Sequence, residues 1–554
     1  MVFTYDRSRT RRRRTLDDGW RFATDPDDVG EREGWNADFP DDAERVTVPA
    51  PWNVRSGHHD YHGVGWYSRE FDVTRRGPVR VCFHGVCHDA TVWLDGERVA
   101  EHDSGYTPFE VVADLDRGRH DLVVRADSTR DTDSIPKPGT DWFPYGGITR
   151  PVVVEELPPV WVADLDLAYD LEGSQAAVTA TVTVDSTDEA REVPVAVELA
   201  GERAAERVRV PADGEVAVSL DIEASVERWT PDDPTLYTAT ATAGDDELRE
   251  RTGFRTVSVT DTDLLVNGEA VPLRGVNRHE DHPEWGHAQP ARLQELDLDL
   301  VEELGCNFLR TSHYPVHPGL LDRCDERGLL VLEELPFWQF DGERFARDGV
   351  RERGVTMLEE MVERDRAHPS VVAWGLTNEC AGHEDPVEAA VAAMAERARD
   401  LDDRPLALAS MNYQPGQVGE DPTFEHVDLV CLNGYQGWYT EGPWAEILDP
   451  AREDHPEKPI VVSEFGAGAV FGERTREDQK WSEGHQADVV VDAVETFEAR
   501  EDVAGFAVWQ FCDTWTTVER FAGRPKSKNN KGLVDEYRRP KLAYDRLQSF
   551  LADR

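Results

Sequence analysis

Lysine is the scarcest charged residue in this sequence. Only seven of its 60 basic residues are lysine, whereas 111 residues are acidic, and the formal net charge is −51. Such a surplus of negative charge argues against a nucleic-acid partner and makes the folded chain repel itself at low salt. Because the Debye length falls to about 3 Å at 1 M salt, concentrated salt would screen this repulsion. The composition resembles that of proteins from salt-accumulating microbes; the alternative is an ordinary acidic cytosolic protein.

Long apolar runs and paired cysteines are missing as well. No stretch of 18 apolar residues occurs, so we expect no transmembrane helix. The arginine run at residues 11–14 is followed by the polar segment TLDDGW, which argues against a secretion signal and predicts a solvated N-terminal arm. The seven cysteines are scattered and include no Cys-x-x-Cys pair. This pattern predicts reduced thiols in a cytoplasmic protein, without a disulfide framework or a zinc site.

Strand and helix patterns divide the sequence into three parts. Short strand-like segments fill residues 1–157, where Asp95-Gly96 predicts a hairpin turn. Residues 158–256 alternate small apolar residues with threonine, which is typical of a small β-sandwich. From 257 to 554, short apolar runs alternate with helical segments, and this predicts βα units around a parallel sheet. We therefore expect two all-β units followed by an α/β unit.

Eight apolar runs in the last part end in polar or aromatic residues. They lie at 273–281, 308–315, 330–336, 371–379, 406–412, 429–435, 460–466 and 505–511. Eight βα units predict a (β/α)8 barrel, in which the active site lies at the C-terminal ends of the strands. The repeated polar groups stand where a barrel would gather them, so we expect the active site there.

Two of these runs end in a glutamate. Glu379 ends the fourth run and Glu464 lies at the end of the seventh. In a closed barrel those two strands face each other across the mouth. Glycoside hydrolysis needs such a pair, because one carboxyl group protonates the leaving oxygen while the other attacks the anomeric carbon. The acid requires a raised pKa and the nucleophile must stay ionised. The alternative is that both are solvated loop residues of an acidic chain.

Three longer segments carry a family signature. They are NFLRTSHYPVHPGLLDRCDERGLLVL (307–332), DRAHPSVVAWGLTNE (365–379) and PIVVSEFGA (459–467). They resemble glycoside hydrolase family 2 and, within it, the β-glucuronidases. The resemblance implies a jelly-roll-like sugar-binding β-sandwich, an immunoglobulin-like β-sandwich and a C-terminal catalytic TIM barrel. It also implies that Glu379 is the general acid/base, that Glu464 is the nucleophile and that Asn378 holds the 2-hydroxyl of the sugar. Ala367 departs from the asparagine that is usual in the second segment.

The choice of sugar rests on a cluster of lysines after the last strand. Three of the seven lysines lie between residues 526 and 531. In the β-glucuronidases that the chain resembles, an Asn-x-Lys pair at this place binds the sugar's carboxylate, and Asn529 and Lys531 fit that pair. The alternative is a basic surface loop, which is what we predict for Lys526 and Lys528.

One departure from those β-glucuronidases concerns an arginine. They carry it four residues before the motif asparagine, where Pro525 stands here. Either Arg520 or Arg524 substitutes for it, or no residue does, so this departure leaves the details of carboxylate recognition open, including glucuronate against galacturonate.

The resemblance places six further side chains around the sugar: Asp141, His313, Asn433, Tyr435, Tyr439 and Trp509. Tyr435 would lie near the nucleophile, Tyr439 near the sugar's carboxylate, and Trp509 would stack on the ring. His313 and Asp141 would contact hydroxyl groups. The alternatives are that Trp509 is a core tryptophan, that His313 is a core histidine whose hydrogen bonds are made within the protein, and that Asp141 lies in a charged surface loop.

The predicted function is that of a retaining exo-glycosidase that removes terminal β-D-glucuronic acid from glycosides or oligosaccharides. A β-galactosidase or β-galacturonidase of the same family is the alternative, and a non-catalytic carbohydrate-binding protein is the alternative of another class. We expect no cofactor, no metal, and no nucleic-acid or membrane partner. The sequence leaves a homo-oligomer open.

Overall fold

The computed structural model describes residues 2–475, 479–517 and 523–552 of the chain. The strands of its first part are β1 (Arg12–Thr15), β2 (Trp20–Asp25), β3 (Glu44–Val46), β4 (Val64–Val73), β5 (Gly77–Phe83), β6 (Val86–Cys87), β7 (Asp89–Leu94), β8 (Glu97–Asp103), β9 (Phe109–Leu115), β10 (Gly118–Asp127), β11 (Gly147–Ile148) and β12 (Val152–Glu156). Two sheets, ordered β1-β12-β5-β9 and β3-β2-β4-β10-β7-β8, form a sandwich, and β11 pairs with β6. A short helix α1 (Gly30–Glu33) and a 3₁₀ turn (Trp52–Val54) lie on its connections.

The hairpin turn predicted at Asp95-Gly96 joins β7 to β8. Leu94 pairs with Glu97 across it, and the two turn residues have φ values of 51° and 83°. Asp-Gly is favoured in this left-handed turn, whose twist matches that of the flanking strands. The turn fixes the register next to it, and a β-bulge between Val92 and Trp93 then shifts the pairing by one residue, which sets Asp89 opposite Asp103.

The second part is a smaller sandwich. Its strands are β13 (Val160–Glu172), β14 (Gln175–Ser186), β15 (Arg191–Leu199), β16 (Glu202–Val210), β17 (Val216–Ser225), β18 (Tyr237–Ala243) and β19 (Asp246–Thr252). They form sheets ordered β13-β14-β17 and β16-β15-β18-β19. Alternate residues of β14 are buried, because only one face of its sheet packs against the other. A small sheet then leads into the last part through β20 (Val257–Val259), β21 (Leu264–Val266) and β22 (Glu269–Ala270).

The N-terminal arm is not solvated, so that prediction was wrong. Val2 and Phe3 are buried against Val153 of the first sandwich. Arg11 is buried as well, and its guanidinium donates to Asp246 and Glu155, with Arg11 Nη2 2.7 Å from Asp246 Oδ2. The rest of the arginine run forms β1, which pairs with β12. The arm thus connects the first sandwich to the second, since carboxylates of both bind it.

The last part is a closed barrel of eight parallel strands: β23 (Leu273–Asn277), β24 (Phe308–Thr311), β25 (Leu330–Glu334), β26 (Val371–Asn378), β27 (Leu406–Ser410), β28 (Leu429–Asn433), β29 (Ile460–Phe465) and β30 (Val503–Val508). Its helices are α2 (Ala291–Glu303), α3 (Pro318–Arg327), α4 (Gly342–Phe345), α5 (Val350–Asp365), α6 (Asp385–Leu401), α7 (Ala445–Asp454), α8 (Glu483–Glu498) and α9 (Leu542–Ala552). A short strand pair, β31 (Thr514–Trp515) and β32 (Lys528–Asn529), and two 3₁₀ turns (Pro422–His426, Pro525–Ser527) complete it. The predicted fold class, two β-sandwiches followed by a (β/α)8 barrel, is confirmed.

A loop of the first sandwich lies over the mouth of the barrel. Tyr145 Oη donates to Asp281 Oδ1 at 2.7 Å, and Thr517 Oγ1 donates to the carbonyl of Thr140 at 2.9 Å. The indole of Trp142 packs against His313, with 5.4 Å between ring centroids. Residues 140–145 therefore form one wall of the cavity at the C-terminal ends of the barrel strands.

Candidate active site

Glu379 and Glu464 are linked at the barrel mouth by hydrogen bonds that run through Asn433, Asn378 and Arg310. Asn433 Nδ2 donates to Glu379 Oε1 at 2.9 Å and to Asn378 Oδ1 at 3.1 Å. Arg310 donates from Nη2 to Asn378 Oδ1 and from Nη1 to Glu464 Oε1, both at 2.8 Å. Glu379 itself has a φ of 52°, an uncommon conformation for a non-glycine residue that costs backbone energy. The strand end is thus bent in a way that turns this carboxylate toward Asn433.

Arg310 is a central site residue that the sequence analysis missed. It is the penultimate residue of β24 and is only 1% exposed. It also donates to Asn277 Oδ1 at 3.0 Å and to both oxygens of Glu334 at 2.8 and 2.9 Å. A buried guanidinium is tolerated when its donors are paired with carboxylates in this fork-like geometry. The signal in the sequence was an arginine inside the apolar run FLRT, which no core packing requires.

Burial and the charge of Glu379 raise the pKa of Glu464 to about 8, although Arg310 and Tyr435 act in the opposite direction. The predicted role of Glu464 as nucleophile requires its ionised form, which the hydrogen bonds from Arg310 and Tyr435 favour and burial opposes. That role stays a prediction.

Tyr435 and His313 lie on either side of the Glu464 carboxylate. Tyr435 Oη donates to Glu464 Oε2 at 2.7 Å. His313 Nδ1 donates to Glu334 Oε1 at 2.7 Å, while its Nε2 lies 3.8 Å from Glu464 Oε1. Burial and the charge of Arg310 lower the pKa of His313, so its imidazole is neutral. The ring stacks on Trp509, with centroids 4.9 Å apart, so one face of that tryptophan is covered.

Gln339 is a second residue that the sequence did not reveal. Its Nε2 donates to Glu379 Oε2 at 2.8 Å, and its backbone N–H donates to the carbonyl of Asn378 at 2.8 Å. It lies in the loop after β25 with a φ of 53°. Neither its position in the segment LPFWQF nor its residue type signals this contact, because the loop conformation brings it there.

Asn378 has an unused donor in the cavity. The residue is fully buried and its Oδ1 accepts from Arg310 and Asn433. Its Nδ2 has no hydrogen-bond partner within the ranges that the structure describes. A buried amide without a partner costs free energy unless a ligand accepts from it.

A second group of residues surrounds Lys531 beside the carboxylate pair. The Lys531 ammonium is buried and donates to Tyr439 Oη at 2.9 Å and to Asn529 Oδ1 at 3.4 Å. It also lies over the rings of Tyr435 and Tyr439, 5.5 and 5.0 Å from their centroids. Tyr435 therefore contacts both Lys531 and Glu464. Tyr439 is the outermost member, with 61% of its surface exposed.

Asp141 comes from the loop of the first sandwich and binds the segment that carries Lys531. Arg524 forms an ion pair with both Asp141 oxygens, with Nη2 2.9 Å from Oδ2, and Asn529 Nδ2 donates to the same oxygen at 3.0 Å. Arg524 is thus the arginine next to the Asn-x-Lys pair, whereas Arg520 lies outside the described residues. The acidic partner means that Arg524 brings no net charge to this group.

Two lysines near the pair differ from each other. Lys526 is exposed, as predicted, but Lys528 is buried, so the prediction of a surface position was wrong for it. Its ammonium lies 2.5 Å from Glu536 Oε1 and 4.7 Å from the centre of the Trp515 ring. This internal ion pair neutralises Lys528, so it leaves Lys531 as the positive group nearest to Glu464 in the segment 523–531.

Comparison with known proteins agrees with this architecture. Models of the glycosyl hydrolases family 2 match the sugar binding domain at residues 13–158, the central domain at 160–255 and the TIM barrel domain at 257–552. A β-glucuronidase of Paenibacillus borealis is 28% identical, and the match covers 99% of this chain and 98% of that protein.

Solved structures give the same result. A family 2 β-galacturonidase from Eisenbergiella tayi, bound to galacturonate, superposes with a TM-score of 0.92 at 32% identity and covers 100% of this chain and 99% of its own. The β-glucuronidase of Ruminococcus gnavus superposes with a TM-score of 0.89 at 26% identity, with 100% and 99% covered. In the described ranges no helix is long and apolar enough to cross a membrane. The chain belongs to the glycosyl hydrolases of family 2 and is a glycosidase.

Proposed function

We propose that this glycosidase is a retaining exo-β-uronidase whose preferred substrates carry a terminal β-D-glucuronic acid. The observation that carries the proposal is the ammonium of Lys531. It is buried, and among the described residues no carboxylate pairs with it. A buried charge without a counter-ion is costly, and the carboxylate of a uronic acid would supply one. A neutral hexose would leave the ammonium unpaired.

The proposed mechanism assigns the two glutamates different tasks. Glu379 protonates the oxygen of the leaving group while Glu464 attacks the anomeric carbon, and Glu379 then activates a water that releases the sugar. Asn378 would donate its free Nδ2–H to the 2-hydroxyl group. Arg310 would stabilise ionised Glu464, because it donates to that carboxylate at 2.8 Å. The remaining site roles proposed from the resemblance are ring stacking by Trp509 and hydroxyl contacts by His313, Asn433 and Asp141.

A β-galacturonide is the second candidate substrate. The structural relative bound to galacturonate is 32% identical to this chain, compared with 26% for the Ruminococcus gnavus β-glucuronidase. The two uronic acids differ in the orientation of the 4-hydroxyl group and share the carboxylate. The Lys531 argument therefore supports both, and rates on the two sugars decide between them.

The decisive test compares nitrophenyl β-glucuronide, β-galacturonide and β-galactoside in about 2 M NaCl, a concentration chosen to screen the acidic surface. We expect either uronide to be cleaved far faster than the galactoside. Lys531→Gln should reduce kcat/KM on the uronide at least about tenfold, since a charge-assisted hydrogen bond contributes ~1.5–3 kcal/mol. The exposed Lys526→Gln is the matched control and should leave the rate unchanged. A preference for the galactoside, or an unaffected Lys531→Gln variant, would refute the uronide proposal.

We also propose a salt-rich cytoplasm as the setting in which the protein works. The net charge of −51 supports high salt. All seven cysteines are unpaired and six of them are buried, which supports a reducing compartment.

A further inference from the structure

We propose that His88, Asp89 and Asp103 of the first sandwich form a binding site for a divalent metal ion of the zinc type, separate from the active site. One ligand atom from each residue lies within 4.8 Å of the other two. His88 Nε2 is 3.9 Å from Asp89 Oδ1 and 3.8 Å from Asp103 Oδ1. Zinc binds imidazole nitrogen and carboxylate oxygen at about 2.0–2.2 Å, so a small inward movement of the side chains would complete the three contacts.

The unsatisfied histidine is the observation that distinguishes this cluster from a group of surface acids. His88 is 2% exposed, and neither of its ring nitrogens has a hydrogen-bond partner among the described residues. The Oδ1 atom of Asp89, which faces His88, is also buried and has no hydrogen-bond partner among the described residues. A buried imidazole that makes no hydrogen bond has a ring nitrogen available to bind a metal.

The strand register adds a second argument. Asp89 on β7 is directly opposite Asp103 on β8. Like charges in such cross-strand pairs destabilise a sheet. Asp89 Oδ1 and Asp103 Oδ1 both approach His88 Nε2, at 3.9 and 3.8 Å, so the two carboxylates repel each other there. A bound cation would remove it, as would a shared proton, and the experiment below separates these two.

The positive groups nearby leave room for the ion. Arg353 of α5 lies 3.2 Å from Asp103 Oδ2, so the other oxygen of that carboxylate still faces His88. Helix α5 belongs to the barrel, and its Arg353 pairs with Asp103 of the β7–β8 hairpin. An ion that fixes the Asp103 side chain would therefore also hold this hairpin beside α5.

Asp322, Asp325 and His368 form a second cluster of one histidine and two aspartates, but its members already have hydrogen-bond or ion-pair partners. His368 Nδ1 donates to Asp325 Oδ2 at 2.6 Å, Ser370 N donates to Asp325 Oδ1 at 3.0 Å, and Arg251 lies 3.2 Å from Asp322 Oδ1. Against the effect of burial, Asp325 raises the pKa of His368 to about 9, so this ring is protonated and cannot bind a metal. We therefore assign no ion to it.

For the test, bound metal is first removed from the full-length protein by dialysis against a chelator. Zinc binding is then measured by titration calorimetry with ZnCl₂ in concentrated NaCl. We expect one tight equivalent per chain, at least about tenfold weaker binding in Asp103→Asn, and a zinc-dependent rise in Tm that this variant lacks. Asp103 is half exposed, so its amide variant should fold. Asp133→Asn is the matched control, because Asp133 is a similarly exposed carboxylate paired with Arg347.

Two outcomes would overturn the proposal. The first is no zinc uptake by the native protein; if metal-free Asp103→Asn is then also more stable than the native protein, a shared proton explains the pair. The second is equal uptake by the native protein and Asp103→Asn, which would place the ion elsewhere. Uronide hydrolysis does not enter these readouts, so the result is independent of the proposed substrate.

Discussion

At the residue scale, the site combines side chains that the sequence reveals with side chains that only the folded chain assembles. Glu379 and Glu464 could be predicted, because a carboxylate at the end of a buried strand has few structural explanations. Arg310 and Gln339 were not predicted. The first is hidden in an apolar run, and the second depends on a left-handed loop conformation. The direction of the Glu464 pKa shift could not be predicted either, since it depends on how deeply the strand end is buried.

The hydrogen bond from Tyr435 should set the acidic limb of the pH profile. It lowers the pKa of Glu464, which burial raises to about 8, and Glu464 must be ionised to attack. Without it, in Tyr435→Phe, that pKa rises further, so the acidic limb of kcat/KM moves to higher pH. We expect a shift of about 1–2 pH units, from ~1.5–3 kcal/mol for a hydrogen bond to a charged group.

The measurement is kcat/KM for a nitrophenyl uronide between pH 5 and 9 in concentrated salt. Activity of Tyr435→Phe should fall more at the acidic end than at the alkaline end. Tyr537→Phe is the control, because Tyr537 is 48% exposed. If the variant lost activity equally at every pH, Tyr435 would have a role other than the ionisation of Glu464.

At the element scale, the strands were predictable and the N-terminal arm was not. Seven of the eight barrel runs found in the sequence contain a barrel strand, and the eighth, 505–511, overlaps β30, because alternation of short apolar runs with helices is typical of this architecture. An arginine run looks the same whether it is solvated or paired. Its partners, Glu155 and Asp246, lie far away in the chain, and no local pattern links them to Arg11.

Arg11 should therefore contribute much more to stability than its neighbours in the sequence. Its guanidinium is buried between Asp246 and Glu155. In Arg11→Met the buried Asp246 loses its counter-ion, which costs about 3–5 kcal/mol, whereas Glu155 keeps its ion pair with Arg80. Urea unfolding in concentrated salt measures the free energy of unfolding. Arg9→Met, at an exposed position, should change it little. Equal stabilities of the two variants would contradict the buried role of the arm.

At the scale of the whole molecule, charge and domain arrangement are the main features. The boundaries between the units at residues 157 and 256 stay predictions. Whether the protein forms a homo-oligomer stays open. The acidic surplus was visible in the composition. The contact of the first sandwich with the barrel mouth was implied only by the resemblance, through Asp141, because composition and pattern do not give the relative placement of the units.

Salt should stabilise and activate the protein. The charge of −51 generates repulsion that ions screen, with a Debye length of about 10 Å at 0.1 M salt and 3 Å at 1 M. We expect both Tm and the hydrolysis rate to rise with NaCl up to molar concentrations. Scanning Tm between dilute buffer and molar NaCl tests this, with sucrose as an uncharged control for general stabilisation. Full stability and activity in dilute buffer would show that the surface charge is tolerated without salt.

The ion pair between Asp141 and Arg524 has a consequence for how this enzyme could diversify. The segment that carries Lys531 is held by a residue almost 400 positions earlier in the chain, in a different unit. Mutation in the first sandwich can therefore alter sugar preference while every barrel residue stays the same. For the same reason, a barrel excised from its two sandwiches would retain both glutamates and lose one wall of the pocket. Selection acting on substrate choice in this chain acts on both units together.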